Sequence, residues 1–139
     1  HEWHVRTLQG LPRPVNVLST HSAWLLSSLV LGCNGLLSGS GSVIADLQSG
    51  LFQAVQKNDL AAARALNDRI EPLMRVFYAD PFVDMHNRMK EALVLLGRIP
   101  RAYVRPPLIK LQPAEIAHIR QGLIDAGLLG TGARREGAE

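Results

Sequence analysis

Residues 14–42 read PVNVLSTHSAWLLSSLVLGCNGLLSGSGS. Val15, Val17 and Leu18 form a short apolar run, Trp24 to Val30 a helix-length apolar patch, and Gly35 to Ser38 a second short run closed by glycine. Strand, helix and strand in that order make a βαβ unit, and strands joined by one crossover helix lie parallel. Helices cover a parallel sheet, so its ligand chemistry gathers where the strands end and the following loops begin. Those loops are Ser19-Thr20-His21-Ser22 and Gly39-Ser40-Gly41-Ser42. The rest of the chain offers no further convincing strand. Two parallel strands are marginal by themselves and leave unpaired backbone groups at both edges, so the sequence reads as incomplete.

Both flanks of this unit read as helical. Trp3, Val5 and Leu8 in a polar setting, closed by Gly10, Pro12 and Pro14, resemble the last turns of a helix. Ser42 is the expected N-cap of a helix to about Lys57, with Val43, Leu47, Leu51 and Val55 on one face. Asn58 breaks it, and Asp59 caps the next, whose apolar positions run from Leu60 to Phe77 with Pro72 kinking it or tightening one turn. Asp80-Pro81 marks a turn, residues 82–96 a helix ended by Gly97, and residues 98–112 an extended Pro-rich stretch. Pro113 suits the first turn of a final helix carrying Ile116, Ile119, Leu123 and Ile124 inward, and the chain from Gly130 is expected to be loose.

Composition narrows the function classes. The net charge of +3 comes from twelve arginines and three lysines against 12 acidic residues, all scattered, and the one basic pair, Arg134-Arg135, lies in a Gly-rich tail. No nucleic-acid face is expected from that pattern. Cys33 is the single cysteine, which excludes an intrachain disulfide and a Cys-based zinc site and fits a reducing cytoplasm. Trp24 to Cys33 is too short and too Ser-rich to span a bilayer, and no charged leader precedes an apolar core, so a soluble protein is expected.

Other chemical motifs carry little. Gly39-Ser40-Gly41 ahead of a helix has the amides to cradle a phosphate, but it lacks the third glycine of a dinucleotide fingerprint and the Gly-Lys-Ser/Thr ending of a P-loop. His1 and His4 share helical spacing while His21, His86 and His118 are dispersed, so no metal site is expected. His21 falls just past the first strand, where an imidazole can meet substrate or simply face water. Asp84, His86 and Glu91 sit on one helix with no serine placed to attack, which rules out a hydrolytic triad.

The run NVLSTHSAWLLSSLVLGCNGLLSGSGSV (16–43), the helix pair over 44–79, KEALVLLG (90–97) and VRPPL (104–108) together resemble the C-terminal part of the dihydrodipicolinate synthase and N-acetylneuraminate lyase family, over residues up to 128. The resemblance implies an α/β fold: a partial (β/α)8 TIM barrel, with Asn16–Ser19 as strand seven and Gly35–Ser38 as strand eight, followed by a C-terminal helical segment. The expected division is a barrel portion over 1–57, a helical segment over 58–129 and a tail over 130–139.

The same resemblance implies a lyase (aldolase, synthase or dehydratase) in which a lysine condenses with pyruvate or a related 2-oxo acid, without a cofactor. The family's Schiff-base lysine, relay tyrosine and carboxylate-binding hydroxyls would all precede His1. Lys57, Lys90 and Lys110 lack the desolvated setting such an amine needs, and Lys90 matches a lysine common in this helix of the family. No catalytic residue is therefore expected here, and the chain alone should be inactive. Thr20 aligns with a position, usually glycine, where backbone approaches substrate, and Leu37 with an apolar residue near the bound 2-oxo acid, or alternatively with barrel core. Ser19, Ser38 and Ser40 are candidate donors to substrate oxygens, or else satisfy turn backbone. A homo-oligomer acting on 2-oxo acids and aldehydes is implied. Two other readings stand beside it: a catalytically silent barrel remnant, and a helical interaction module using the Met85/Met89 face.

Overall fold

The structure, a computed structural model, describes residues 2–130 apart from the side chain of His4. The tail from 131, with Arg134-Arg135, and the His1/His4 pair lie outside what it describes. Helix α1 (Glu2–Gln9) leads into strand β1 (Leu18–Ser19), a 3-10 turn (Ser22–Trp24) and helix α2 (Leu25–Val30), then strand β2 (Gly35–Leu36). Four helices follow: α3 (Gly41–Gln56), α4 (Leu60–Phe77), α5 (Met85–Leu95) after a 3-10 turn at Phe82–Asp84, and α6 (Pro113–Asp125).

The βαβ unit forms as expected, with β1 and β2 parallel and Leu18 opposite Gly35, Ser19 opposite Leu36. Backbone bonding between the strands continues past this ladder, Asn34 N–H donating to Val17 O at 3.0 Å and Leu37 N–H to Ser19 O at 2.8 Å. The Asn34 side chain adds to that pairing: its Oδ1 accepts from Val17 N–H at 2.8 Å and its Nδ2 donates to Asn16 Oδ1 at 2.7 Å. A Cβ on Gly35 would lie 2.5 Å from Leu18 Cδ2, so this position needs glycine for the close approach.

Helix ends follow local chemistry with one correction. Asp59 accepts from Ala62 N–H at 3.0 Å and caps α4 as expected, and Pro113 occupies the first turn of α6. The residue at the N-cap of α3 is Ser40, not Ser42, whose hydroxyl instead donates back to Gly39 O at 2.9 Å. Ile44 then has non-helical angles (φ −126°, ψ 34°), and Arg98 Nη1 donates to Val43 O at 2.7 Å beside that kink. Gly97, with φ of +69°, ends the α5 region as glycine readily does.

One core draws on α2 through α6. Leu25, Leu51, Leu73, Phe77, Ile119 and Leu123 are all fully buried in it. Each such side chain contributes roughly 1.5–3 kcal/mol of burial energy, so packed helices rather than the two-residue ladder hold the fold. Met89 is part of this core at 3% exposure, which removes the Met85/Met89 face as an open groove. A smaller cluster of Val5, Val17 and Cys33 seats α1 on the sheet, and Gln9 Nε2 ties it to Leu31 O at 2.7 Å. Burial pushes the Cys33 thiol pKa up, which keeps it protonated and unreactive at neutral pH.

Candidate active site at the strand ends

The two faces of the sheet are unlike. Parallel register puts Leu18, Thr20, Gly35 and Leu37 on one face and Val17, Ser19, Leu36 and Ser38 on the other. Helices cover the second face, where Val17 is 7% and Ser19 6% exposed; the first is open, with Leu18 at 50% and Leu37 at 69%. Thr20 is exposed beside them. A cavity of about 440 Å³ also runs along the free edge of β2 against α3, bordered by Leu37, Gln48 and Phe52.

The sequence-selected residues thus divide into two groups. Thr20 and Leu37 stand on the uncovered face. Ser19 turns the other way, its hydroxyl donating to Ser28 Oγ at 2.7 Å, under α2. Ser38 and Ser40 enter a cluster with Ser22: Ser22 Oγ bonds both, and Ser38 and Ser40 are 3.0 Å apart. Gln48 Nε2 donates to Ser40 Oγ at 2.8 Å and Ser38 Oγ at 3.3 Å, while Tyr78 OH donates to Ser22 Oγ at 3.2 Å. The hydroxyls of Ser19, Ser38 and Ser40 are therefore engaged with neighbouring side chains on the helix-covered face, away from the face that carries Thr20 and Leu37.

This cluster clamps the two strand-end loops to each other and to α3 and α4. Ser22 and Ser40 are 1% and 0% exposed, so each hydroxyl must find its partners inside the protein. Gln48→Leu keeps the volume and removes the amide donor shared by Ser38 and Ser40. We expect it to cost about 1–3 kcal/mol in urea unfolding with the denaturant slope unchanged. An unaltered midpoint would show that the amide contributes nothing to the clamp.

Ser22, Gln48 and Tyr78 were not among the residues selected from sequence. Gln48 was detectable, since it occupies a position of α3 that shares the inward face of Ile44 and Leu51, where a polar group implies a buried partner. Tyr78 carried no such signal. Its ring stacks on His21 (centroids 4.7 Å apart), and His21 in turn stacks on Trp24 at 4.8 Å. His21 Nδ1 is buried without a partner between them. From α5, His86 reaches Gly39: a Cβ there would meet His86 Nε2 at 3.3 Å. The helical segment thus contributes Tyr78 and His86 to the mouth formed by the strand ends.

No described lysine reaches that mouth. Lys57, Lys90 and Lys110 are exposed, and Lys90 Nζ donates to Tyr103 O at 2.6 Å, a structural contact with the Pro-rich stretch. No group of three metal-ligating side chains occurs among the described residues, and no helix there is long and apolar enough to cross a membrane.

A parallel βαβ unit with one sheet face open and a helical segment folded over its strand ends defines an α/β protein of mostly helical content. The chain belongs to the Dihydrodipicolinate synthetase family, whose sequence profile matches residues 3–124. It is 29% identical over 124 residues to 4-hydroxy-tetrahydrodipicolinate synthase of Maridesulfovibrio salexigens, covering 88% of this chain and 40% of that enzyme. It is 36% identical over 112 residues to the synthase of the same name from Rhodopseudomonas palustris, covering 81% and 36%. Its fold matches the crystal structure of YagE, a prophage protein of the dihydrodipicolinic acid synthase family from Escherichia coli K12 in complex with pyruvate, with a TM-score of 0.82 at 26% identity, over 93% of this chain and 44% of that one. The chain thus spans less than half the length of these relatives.

Proposed function

We propose that this chain is the C-terminal part of a Schiff-base-forming lyase acting on pyruvate or a related 2-oxo acid, with β1 and β2 as strands seven and eight of a (β/α)8 barrel. The observation that carries the reading is the open face bearing Leu18, Thr20 and Leu37, in a family with a relative solved with pyruvate bound. The free edge of β2, with its groove against α3, supports a neighbouring strand there.

In this reading the amine of a lysine elsewhere in the barrel attacks the ketone carbonyl, water leaves, and an imine forms. Loss of a proton gives the enamine, which attacks an aldehyde; the reverse sequence releases one. The described residues supply no such amine; they shape its surroundings. Leu37 keeps water from the imine, and the Thr20 hydroxyl offers one polar contact at the strand end. The serine clamp and Tyr78 hold the loops carrying them. Assembly into a homo-oligomer belongs to the same proposal and is supported by apolar side chains exposed outside the core, among them Trp3, Trp24 and Val30.

The test is reductive trapping. Borohydride added with pyruvate to the protein expressed from its intact reading frame should reduce the imine to a stable secondary amine, read as a mass increase requiring both reagents. The 139-residue chain alone should gain none.

A further inference from the structure

A second cavity, of about 460 Å³, lies between α5 and residues 100–110 and shares no lining residue with the strand-end site. Glu91 lines it and is only 6% exposed. Among the described residues its carboxylate has no hydrogen bond and no ion pair, while the only sealed polar side-chain atoms without partners are His21 Nδ1 and Asn87 Oδ1. Glu91 thus brings an unpartnered carboxylate to the lining of the cavity. A carboxylate withdrawn from bulk water and left without a partner is costly, and a cation placed on it recovers that cost.

The nearby cations are engaged elsewhere or free of Glu91. Arg88 is paired with Glu115, Lys90 with Tyr103 O, and Arg101 Nη1 donates to Tyr103 OH at 3.1 Å. Lys110 lines the same cavity and, among the described residues, makes no hydrogen bond or ion pair. The walls are apolar, built from Val94, Pro100, Val104 and Ile109. One carboxylate is too few oxygens for calcium or magnesium, which take about six or more ligands. It matches a cation whose N–H groups donate to carboxylate oxygens and whose body is hydrocarbon. The volume is in the range of small-molecule sites.

We propose that this cavity binds a small aliphatic primary ammonium compound, with the ammonium on Glu91 and the alkyl chain along the Pro100–Ile109 wall. The site is independent of the imine chemistry proposed above.

Butylammonium chloride titrated into the isotopically labelled chain, against matched sodium chloride, should give saturable amide shifts confined to residues 91–110. Glu91→Gln, which removes an unpartnered charge and retains the shape, should weaken binding by roughly tenfold or more, and butanol should bind as weakly to the original chain. Lys110→Met should leave butylammonium binding intact or tighten it. The proposal is overturned by the absence of saturable shifts, by equal binding to Glu91→Gln, or by binding that emerges only in Lys110→Met. The last result would make Lys110 itself the partner of Glu91.

Discussion

Arg88→Ala should destabilise the protein by about 2–4 kcal/mol, because it empties a buried side-chain volume and leaves two carbonyls without a donor, while the Glu115 carboxylate, 31% exposed, regains water. The Arg88 side chain is 2% exposed, on α5. Its Nε donates to Glu115 Oε1 at 2.6 Å in the first turn of α6, and its Nη1 to Ala79 O at 2.6 Å and Phe77 O at 3.3 Å, where α4 ends. One guanidinium thus ties three helix ends together and satisfies carbonyls that the end of α4 leaves without partners. Arg88→Lys keeps the charge and loses the planar fork, so its loss should fall between those of the original and the alanine variant. Urea unfolding measures both. A loss under about 1 kcal/mol for Arg88→Ala would mean that the three ends are held by apolar packing alone.

The second large effect concerns function rather than stability. Leu37→Asp should leave the unfolding free energy of the chain within about 0.5 kcal/mol, because Leu37 is 69% exposed and the open face has no packing to lose. In the enzyme proposed above, the same carboxylate would stand near the bound 2-oxo acid in a pocket withdrawn from water. The expected fall in kcat/KM is on the order of a hundredfold or more, close to 3 kcal/mol of lost transition-state stabilisation. Leu37→Met should stay near the original activity, since it conserves volume and polarity. If Leu37→Asp unfolds the chain, or leaves activity in the complete enzyme unchanged, Leu37 does not face the pocket.

Much of the fold was legible because its signals are local. Apolar runs of strand length around a helix-length patch gave the βαβ unit, Asp59 gave a helix start, and Gly97 and Pro113 gave an end and a start. The start of α3 was misplaced by two residues because three serines and two glycines crowd that turn. Ser40, at 0% exposure, occupies the N-cap position and belongs to the buried cluster. Arg88, Asn87 and Glu91 were not legible as buried. They lie on the polar side of α5 by periodicity, but that helix is enclosed: Arg88 reaches α6, Asn87 donates to Ile109 O at 2.8 Å, and Glu91 borders the Pro-rich stretch.

The candidate site was legible as a place more than as a set of roles. Both strand-end loops were found from the end of each apolar run. Alternation along the strands separates Thr20 and Leu37 from Ser19 and Ser38, since residues two apart share a face and neighbours do not, and grouping all four as substrate contacts left that signal unused. Which face was open depended on how α2 and α3 pack, and Ser22, Gln48 and Tyr78 join from 8 to 56 positions away along the chain. No pattern within one element records such a meeting.

Locating the reduced adduct decides whether the imine forms on a lysine outside the described residues. After borohydride treatment with pyruvate, the protein from the intact reading frame is digested and the modified peptide identified by mass spectrometry. The expected result is a single modified lysine that is none of Lys57, Lys90 and Lys110. Modification of one of those three, or no adduct at all in a folded full-length protein, would contradict it.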